Sequence, residues 1–341
     1  MKTILITGAG GYIGSVLTRH LLDKGYRVRA LDRFFFGQNI VASHSQHPNF
    51  ELVRDDIRFC PEHVFEAVDA VIDLASLSND PSAELDPALT TAINHKGSVR
   101  MATLAKRRGV PRYLFSSSCS VYGHGVDENL TEESSLRLIS LYAKSKIEAE
   151  KELLALSDNS FGVTIFRNAT CYGLSPRMRF DLAINLMTLH AFKNGKITVM
   201  GGGEQWRPFV HVSDVAHAFL LALEADGAMV RGQVFNVGSS EQNYQIMQLA
   251  HMVKSNFPGA MVEIAPDDPD RRNYNVSFDK IGRVLGFRPE KKPENGIMEI
   301  KQALHEGKIT DDLKTVTVKY YKYLIDADKV LQEVKHNGKL F

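Results

Sequence analysis

Tyr142 and Lys146 stand four residues apart in the stretch YAKSK. Residues at i and i+4 share one face of a helix, so their side chains can lie close together. A nearby ammonium lowers the pKa of a tyrosine, and a nicotinamide cation would lower it further, toward the working range of a general base. In isolation, however, this spacing is more typical of an exposed tyrosine on a charged helix.

A cluster of hydroxyl groups follows the apolar run YLF, in the stretch SSSCSVYG at residues 116–123. A buried strand rarely ends in so many polar side chains. The cluster is either a turn that satisfies its own backbone groups or a place where one hydroxyl takes part in a reaction. The serines alone leave both interpretations open, so the choice depends on other motifs in the chain.

A glycine-rich segment, TGAGGYIG, follows the first predicted strand and opens a predicted helix. Gly8, Gly11 and Gly14 permit a tight turn, a close approach of the backbone to a pyrophosphate, and close packing of helix on strand. The helix N-terminus then offers free N–H groups to the phosphates. The pattern also occurs in ordinary strand–helix turns, but its position between a strand and a helix favours a dinucleotide site.

Asp32 ends the second predicted strand, 18 residues after Gly14. A carboxylate at this position can bond the adenosine ribose hydroxyls and repel a 2′-phosphate, which favours NAD over NADP. Arg33 follows directly and could instead hold a 2′-phosphate, so NADP stays open as an alternative. Asp56 and Ile57 follow the third predicted strand, where they can meet the adenine or lie in a solvated loop.

Short β-branched runs alternate with longer helical patterns along the chain. They predict strands at 3–6, 27–32, 50–54, 70–75, 112–116, 163–167 and 233–237, and helices at 88–108 and 141–157. Such apolar strands are covered on both faces, and the alternation predicts an α/β fold, a Rossmann-type doubly wound parallel sheet. We expect an NAD-binding domain at 1–170 plus about 204–240, and a smaller C-terminal substrate-binding lobe at about 171–203 and 241–341.

The composition narrows the class of partner. The 341 residues carry a net charge of +1 and are 44% hydrophobic, which is typical of a globular protein and gives no electrostatic reason to expect nucleic acid or a membrane surface. No apolar run approaches the ~18 residues of a membrane helix. Three cysteines without a CxxC pair suit a reducing cytoplasm, and no cluster has metal-site spacing. We therefore expect a cytoplasmic protein without a metal.

Together, the motifs resemble the short-chain dehydrogenase/reductase superfamily and, within it, the extended branch of nucleotide-sugar epimerases and dehydratases. The resemblance runs over essentially the whole chain and rests on TGAGGYIG, the LAS run at Leu74, Ala75 and Ser76, SSSCSVYG, YAKSK and GGGEQWRPFVHVSDVA. It implies an NAD cofactor that Tyr12, Ile13 and the LAS run also contact, and a nucleotide diphosphate sugar as substrate. It also implies a homodimer joined through the helices near 88–108 and 141–157.

The resemblance assigns a role to one hydroxyl of the serine cluster. The family motif reads S-x-x-V-Y-G and its first hydroxyl is catalytic, which points to Ser118 in this sequence. Ser118 would bond the substrate oxygen and position the proton for Tyr142. Lys146 would lower the pKa of Tyr142 and hold the nicotinamide ribose. Ser116 and Ser117 are then interpreted as turn residues that satisfy the backbone.

The two residues after Ser118 narrow the reaction. Family 4,6-dehydratases carry an Asp-Glu pair there, whereas this chain has Cys119 and Ser120. Related 3,5-epimerases carry a cysteine at the position of Ser120, and His124 is available as an extra acid or base. We expect C4 epimerisation through a transient 4-keto intermediate. Dehydration, epimerisation at another carbon and 4-keto-sugar reduction are alternatives, and a non-catalytic dinucleotide-sensing protein is a remote one.

Other motifs resemble the family's substrate-binding segments. Arg207 takes the place of an arginine that grips the nucleotide diphosphate, and Asn185 resembles an asparagine that contacts it. Arg271 and Arg272 fall where the family has a second phosphate-binding arginine, and which of them acts stays open. Thr170 occupies a position where relatives have a substrate-contacting asparagine. The stretch SPRMR at 175–179 departs from the family pattern, and its arginines could meet phosphate, a sugar acid or solvent.

Overall fold

The computed structural model describes residues 1–123, 129–266 and 272–340. Within them the strands are β1 (Thr3–Thr7), β2 (Arg27–Asp32), β3 (Phe50–Arg54), β4 (Ala70–Asp73), β5 (Arg112–Ser118), β6 (Gly162–Asn168), β7 (Thr170–Tyr172), β8 (Lys196–Met200), β9 (Trp206–His211), β10 (Gln233–Val237), β11 (Asn243–Gln245) and β12 (Met261–Ala265). Seven of them form a parallel sheet in the order β10-β6-β5-β4-β1-β2-β3. These are the seven strands predicted from the sequence, so that prediction is confirmed.

The helices of the described residues are α1 (Tyr12–Asp23), α2 (Asp80–Ala83), α3 (Pro87–Thr90), α4 (Ser98–Arg107), α5 (Leu141–Leu156), α6 (Ala183–Asn194), α7 (Val212–Glu224), α8 (Gly227–Val230), α9 (Ile246–Asn256), α10 (Asp279–Leu285), α11 (Pro293–His305) and α12 (Thr317–Val334). A π-helical turn at Thr91–Gly97 joins α3 to α4, which gives the nearly continuous helix predicted over 88–108. None of these helices is both long and apolar enough to cross a bilayer.

The central sheet is covered on both faces, as its apolar strands require. Ile4 and Ile6 of β1 belong to one core cluster together with residues of α1 and α7, whereas Leu5 belongs to a second cluster with residues of α4 and α5. Successive side chains of a strand point to opposite faces, so the alternation places helices on both sides. The fold is therefore the predicted Rossmann-type, doubly wound α/β fold, with a smaller C-terminal part.

The smaller part contains two minor sheets. Strands β7, β9 and β11 form one and β8 and β12 the other, and helices α6, α9 and α11 contribute to a shared apolar cluster beside them. Of the segment 204–240, β10 joins the central sheet while β9 pairs with β7 and β11. The proposed division into an NAD-binding domain and a substrate-binding lobe stays a prediction.

Helix α12 returns from the C-terminal region to the central domain. The Tyr320 hydroxyl donates a hydrogen bond to the carbonyl of Phe35, at 2.9 Å, in the loop after β2. The ring of Phe36 packs against Tyr320 and Tyr321, with centroids 5.3 and 5.5 Å apart. This contact brings a helix more than 280 residues away in sequence to the end of β2 that carries Asp32.

Candidate active site

The glycine turn connects β1 to α1 and approaches the end of β4. Gly8 has φ +70°, and a Cβ atom there would lie 2.8 Å from the backbone nitrogen of Ala75. A Cβ on Gly14 would lie 2.1 Å from the carbonyl oxygen of Gly8. Any side chain at either position would therefore displace the backbone, which explains why the turn needs glycine. The first turn of α1 is left facing a cleft at the carboxyl ends of the strands.

The space of this cleft is about 1050 Å³ when the part open to solvent is included. Its lining includes the predicted cofactor residues outside helix α5, namely Gly8, Gly11, Tyr12, Ile13, Gly14, Asp32, Asp56, Ile57, Leu74, Ala75 and Ser76. It also includes residues that we did not assign to the cofactor from the sequence: Phe35, Phe36, Arg177, Arg179, Thr317 and Tyr321. The SPRMR stretch carried a signal, two arginines with no assigned target, whereas nothing in the sequence connected α12 to this cleft.

Asp32 lines the cleft beside the glycine turn. Its carboxylate accepts hydrogen bonds from the backbone N–H groups of Gly10, at 2.9 Å, and Phe34. Burial raises the pKa of Asp32, and these backbone hydrogen bonds oppose the shift. Arg33, the residue that left NADP open, directs Nη1 toward the carboxylate of Asp56 at 3.3 Å. Asp32 thus supports the glycine turn, and its expected contact with an adenosine ribose stays a prediction.

Ser118, Tyr142 and Lys146 meet where β5 ends beside α5. The Ser118 hydroxyl lies near enough to the Tyr142 phenol to affect its pKa. The Nζ atom of Lys146 donates to the carbonyl of Ser116 at 2.8 Å and lies 6.0 Å from the centroid of the Tyr142 ring. The spacing therefore does what the helical repeat predicts, because it places the ammonium and the phenol on the same side of α5.

Burial shifts the pKa values of both helix residues. It lowers the pKa of Lys146 to about 8, although Asp73 and Glu150 oppose the shift. It raises the pKa of Tyr142; Asp80 adds to this effect, whereas Arg179 and the Ser118 hydroxyl oppose it. At neutral pH Lys146 is thus still mainly an ammonium, and the phenol needs further positive charge beside it to act as a base.

Ser116 and Ser117 lie inside β5, and their hydroxyls bond side chains, so their interpretation as turn residues that satisfy the backbone is wrong. Ser117 Oγ donates to the carboxylate of Glu150, and Ser116 Oγ accepts a hydrogen bond from Asn168 Nδ2 at 2.9 Å. Glu150 also pairs with Arg167 at 2.7 Å, and both side chains are at most 5% exposed. This buried pair joins α5 to β6 and so fixes the helix that carries Tyr142 and Lys146 against the sheet.

The thiol of Cys119 is buried and donates to the carbonyl of Arg167 at 3.2 Å. Burial raises the pKa of Cys119 well above its ordinary value. Ser120 Oγ donates to Ser118 Oγ at 3.0 Å. Neither position supplies an acid, and His124 lies outside the described residues.

The predicted substrate residues differ in what they contact. Arg207 is 5% exposed, and its Nη1 donates to the carbonyls of Trp206, at 2.8 Å, and Arg272. Arg272 in turn pairs with Asp80 at 3.2 Å, and the Asp80 carboxylate accepts a hydrogen bond from Ser140 at the start of α5. Arg207 and Arg272 are thus brought together and connected to the helix of Tyr142.

The amide of Asn185 is fully buried and bonded within the fold. It accepts from the Gly173 N–H at 3.0 Å and donates to the Tyr12 hydroxyl at 3.1 Å and the Arg179 carbonyl at 3.0 Å. Thr170 is half-buried in β7, opposite Phe209 of β9. Arg271 lies outside the described residues. The substrate-binding roles of all these residues stay predictions.

The family model for the NAD dependent epimerase/dehydratase family matches residues 4–238. The chain belongs to this family. A relative, UDP-glucuronic acid decarboxylase 1 of Xenopus tropicalis, is 31% identical over 308 residues, which are 87% of this chain and 70% of the relative. As a member of the epimerase/dehydratase family, the chain is an NAD-dependent enzyme that modifies nucleotide sugars.

Solved structures of family enzymes have the same fold. A dTDP-glucose 4,6-dehydratase from Streptomyces venezuelae, with NAD and TYD bound, has a TM-score of 0.80 at 25% identity and covers 90% of this chain and 98% of its own. A UDP-glucuronic acid 4-epimerase from Bacillus cereus, in complex with UDP-glucuronic acid and NAD, has a TM-score of 0.80 at 22% identity, covering 89% and 99%. The epimerase/dehydratase scaffold therefore extends over most of this chain.

The residues of the cleft fit NAD. The glycine turn leaves room that a Cβ atom would fill, the α1 N-terminus faces the cleft, and the carboxylate-bearing Asp32 lines it. In the part of the chain that the structure describes, no three His, Cys, Asp or Glu side chains are grouped as metal ligands would be.

Proposed function

We propose that this family member is an NAD-dependent nucleotide-sugar 4-epimerase. The observation that carries the proposal is the grouping of Ser118 and Tyr142 beside a buried Lys146, with Cys119 and Ser120 in place of an acidic pair. The family membership supports the nucleotide sugar and the cofactor. When bound, NAD supplies reversible two-electron oxidation of a sugar alcohol to a ketone.

The role that we propose for Tyr142 is to hold the proton of the sugar C4 hydroxyl. The phenol would take this proton as the ketone forms and return it when the alcohol is restored. Ser118, whose hydroxyl lies near the Tyr142 phenol, would orient the same sugar oxygen. The ammonium of Lys146 favours the phenolate electrostatically, which offsets part of the pKa increase that burial causes in Tyr142.

The surroundings of Ser118 favour epimerisation over dehydration. Elimination of water needs one group to protonate the leaving hydroxyl and another to remove a carbon-bound proton. The Cys119 thiol is held by the Arg167 carbonyl with a raised pKa, and the Ser120 hydroxyl is bonded to Ser118. Epimerisation at C4 needs only one group, Tyr142, which holds the hydroxyl proton through both halves of the reaction.

Decarboxylation is the second candidate, because the Xenopus relative is named as a UDP-glucuronic acid decarboxylase. A uronic acid oxidised at C4 is a β-keto acid, and its carboxylate can leave as carbon dioxide while the electron pair moves toward the ketone. That reaction would use the same Ser118, Tyr142 and Lys146. The two candidates therefore differ in the product rather than in the oxidation step.

Chromatography with mass spectrometry separates these reactions. The purified enzyme is incubated with UDP-, GDP-, dTDP- and CDP-sugars, including UDP-glucuronic acid, without added reductant. We expect a new peak of unchanged mass that carries no deuterium when the reaction is run in D₂O, because C4 epimerisation restores the same hydrogen to carbon. Loss of carbon dioxide or water, or uptake of deuterium at carbon, would refute C4 epimerisation.

We also propose a homodimer, joined through the helices near 88–108 and 141–157 as the family resemblance implies. These helices are adjacent: His95 contacts Glu152 at 2.7 Å. Size-exclusion chromatography with light scattering tests this proposal. A mass of one chain at micromolar concentration would contradict it.

A further inference from the structure

Arg177 is a buried cation with unused hydrogen-bonding capacity. Arg177 is only 4% exposed. Among the described residues, only its Nη2 atom has a hydrogen-bond partner, the Thr317 hydroxyl at 2.8 Å. The Nε and Nη1 atoms are buried without a hydrogen-bond acceptor. Unpaired buried donors of a charged group are costly, so their retention in the fold points to a ligand.

Arg177 belongs to the cleft that we expect to bind the dinucleotide. Arg177 lines it together with the glycine turn, the first turn of α1 and Asp32. Its neighbour Arg179 already pairs with Asp181, at 2.9 Å, and so has its own counter-ion. Repulsion from Arg179 adds to burial in lowering the pKa of Arg177 to about 10. An anion in the cleft would relieve this unfavourable environment.

We propose that Arg177 binds the diphosphate of the bound dinucleotide, and that helix α12 positions it there. A guanidinium presents Nε–H and N–H groups in a planar fork that matches two phosphate oxygens. The helix N-terminus of α1 would meet the same diphosphate from the glycine turn. The proposal rests on NAD binding and not on the particular sugar reaction.

Contacts from α12 hold the guanidinium in position. Thr317 at the start of the helix bonds Nη2, and Tyr321 one turn later lines the cleft. The guanidinium carbon of Arg177 lies 3.8 Å from the centroid of the Phe36 ring, which itself packs on Tyr320 and Tyr321. Helix α12 lies beyond residues 4–238, which the family model matches. The C-terminal helix thus becomes part of the cofactor site and helps to retain NAD between turnovers.

The test compares ligands that differ in the diphosphate. ADP-ribose and UDP are titrated by calorimetry into nucleotide-free full-length protein, and adenosine is titrated by saturation-transfer NMR. We expect Arg177→Met to lower the affinity for ADP-ribose about 10- to 100-fold, as for loss of charge-assisted hydrogen bonds. The affinity for adenosine should change less than about twofold. Thr317→Val keeps the shape of the side chain. It should lower the affinity for ADP-ribose by less than Arg177→Met does, and it should reduce the amount of NAD that co-purifies with the protein.

Arg112→Met is the matched control, because that guanidinium bonds the carbonyls of Ala222, Leu223 and Ala225 and does not line the cleft. It should lower stability without changing the ratio of ADP-ribose to adenosine affinity. The proposal would be overturned if Arg177→Met lowered the affinities for ADP-ribose and adenosine equally, or if it left the affinity for ADP-ribose unchanged. A loss of affinity for UDP alone would also overturn it, because Arg177 would then bind the sugar nucleotide instead. If Arg177→Met does not fold, Arg177→Lys and Thr317→Val give the same comparison.

Discussion

The buried ammonium of Lys146 should make the stability of the nucleotide-free protein depend on pH. Burial lowers the pKa of this lysine from 10.5 to about 8 in the folded chain. Between these values the unfolded chain carries a proton that the folded chain has released, so the free energy of unfolding rises with pH across this window. Below about pH 8 both states are protonated, and the folded state bears the full cost of the buried charge.

The size of the effect follows from the same two values. The difference between 10.5 and about 8, at ~1.4 kcal/mol per pH unit, amounts to about 3 kcal/mol. Lys146→Met removes the titration. It also leaves the Ser116 carbonyl without its donor, but that cost does not vary with pH. The stability of the native protein relative to Lys146→Met should therefore rise by about 3 kcal/mol between pH 7 and pH 10.5.

Urea unfolding of both proteins at half-unit pH intervals measures this difference, and the groups that titrate alike in both cancel. Lys144→Met is the control, because it removes a half-exposed ammonium from the same helix, and its difference curve should be flat. A flat curve for Lys146→Met would refute the argument that burial strains this charge. A curve that falls with pH would mean that the site stabilises the ammonium.

Three further outcomes are expected. Tyr142→Phe should lower turnover at least about 10²-fold, as for loss of a general base, while the NAD content of the purified protein stays unchanged; retained turnover would contradict the role of the phenol. Glu150→Gln leaves Arg167 buried without its counter-ion and should cost about 3–5 kcal/mol in urea unfolding, against less than about 1 kcal/mol for the half-exposed Glu148→Gln; equal losses would show that burial is not decisive. Gly14→Ala places a Cβ 2.1 Å from a carbonyl oxygen and should abolish NAD retention, measured by chromatography of released nucleotide, whereas Gly259→Ala, which meets nothing within 4 Å, should retain it.

The local features of this protein were determined by its sequence. The seven strands of the central sheet, the helix that carries Tyr142 and Lys146, and the glycine turn all follow from patterns within about twenty residues. The cofactor contacts predicted from the glycine turn and from Asp32 line one cleft for the same reason. Parallel strands end at one edge of a sheet, so residues that follow successive strands converge there.

Tertiary structure decided which distant residues complete the site. Arg177 meets Thr317 across 140 residues, and Tyr320 meets Phe35 across 285. Asn185, predicted to contact substrate, has its amide bonded to Tyr12 and Gly173 inside the fold. Strand β9 pairs with β7 and β11 rather than with the central sheet. Periodicity and spacing describe neighbours along the chain, whereas these contacts depend on how separate elements pack, and only the folded chain specifies that.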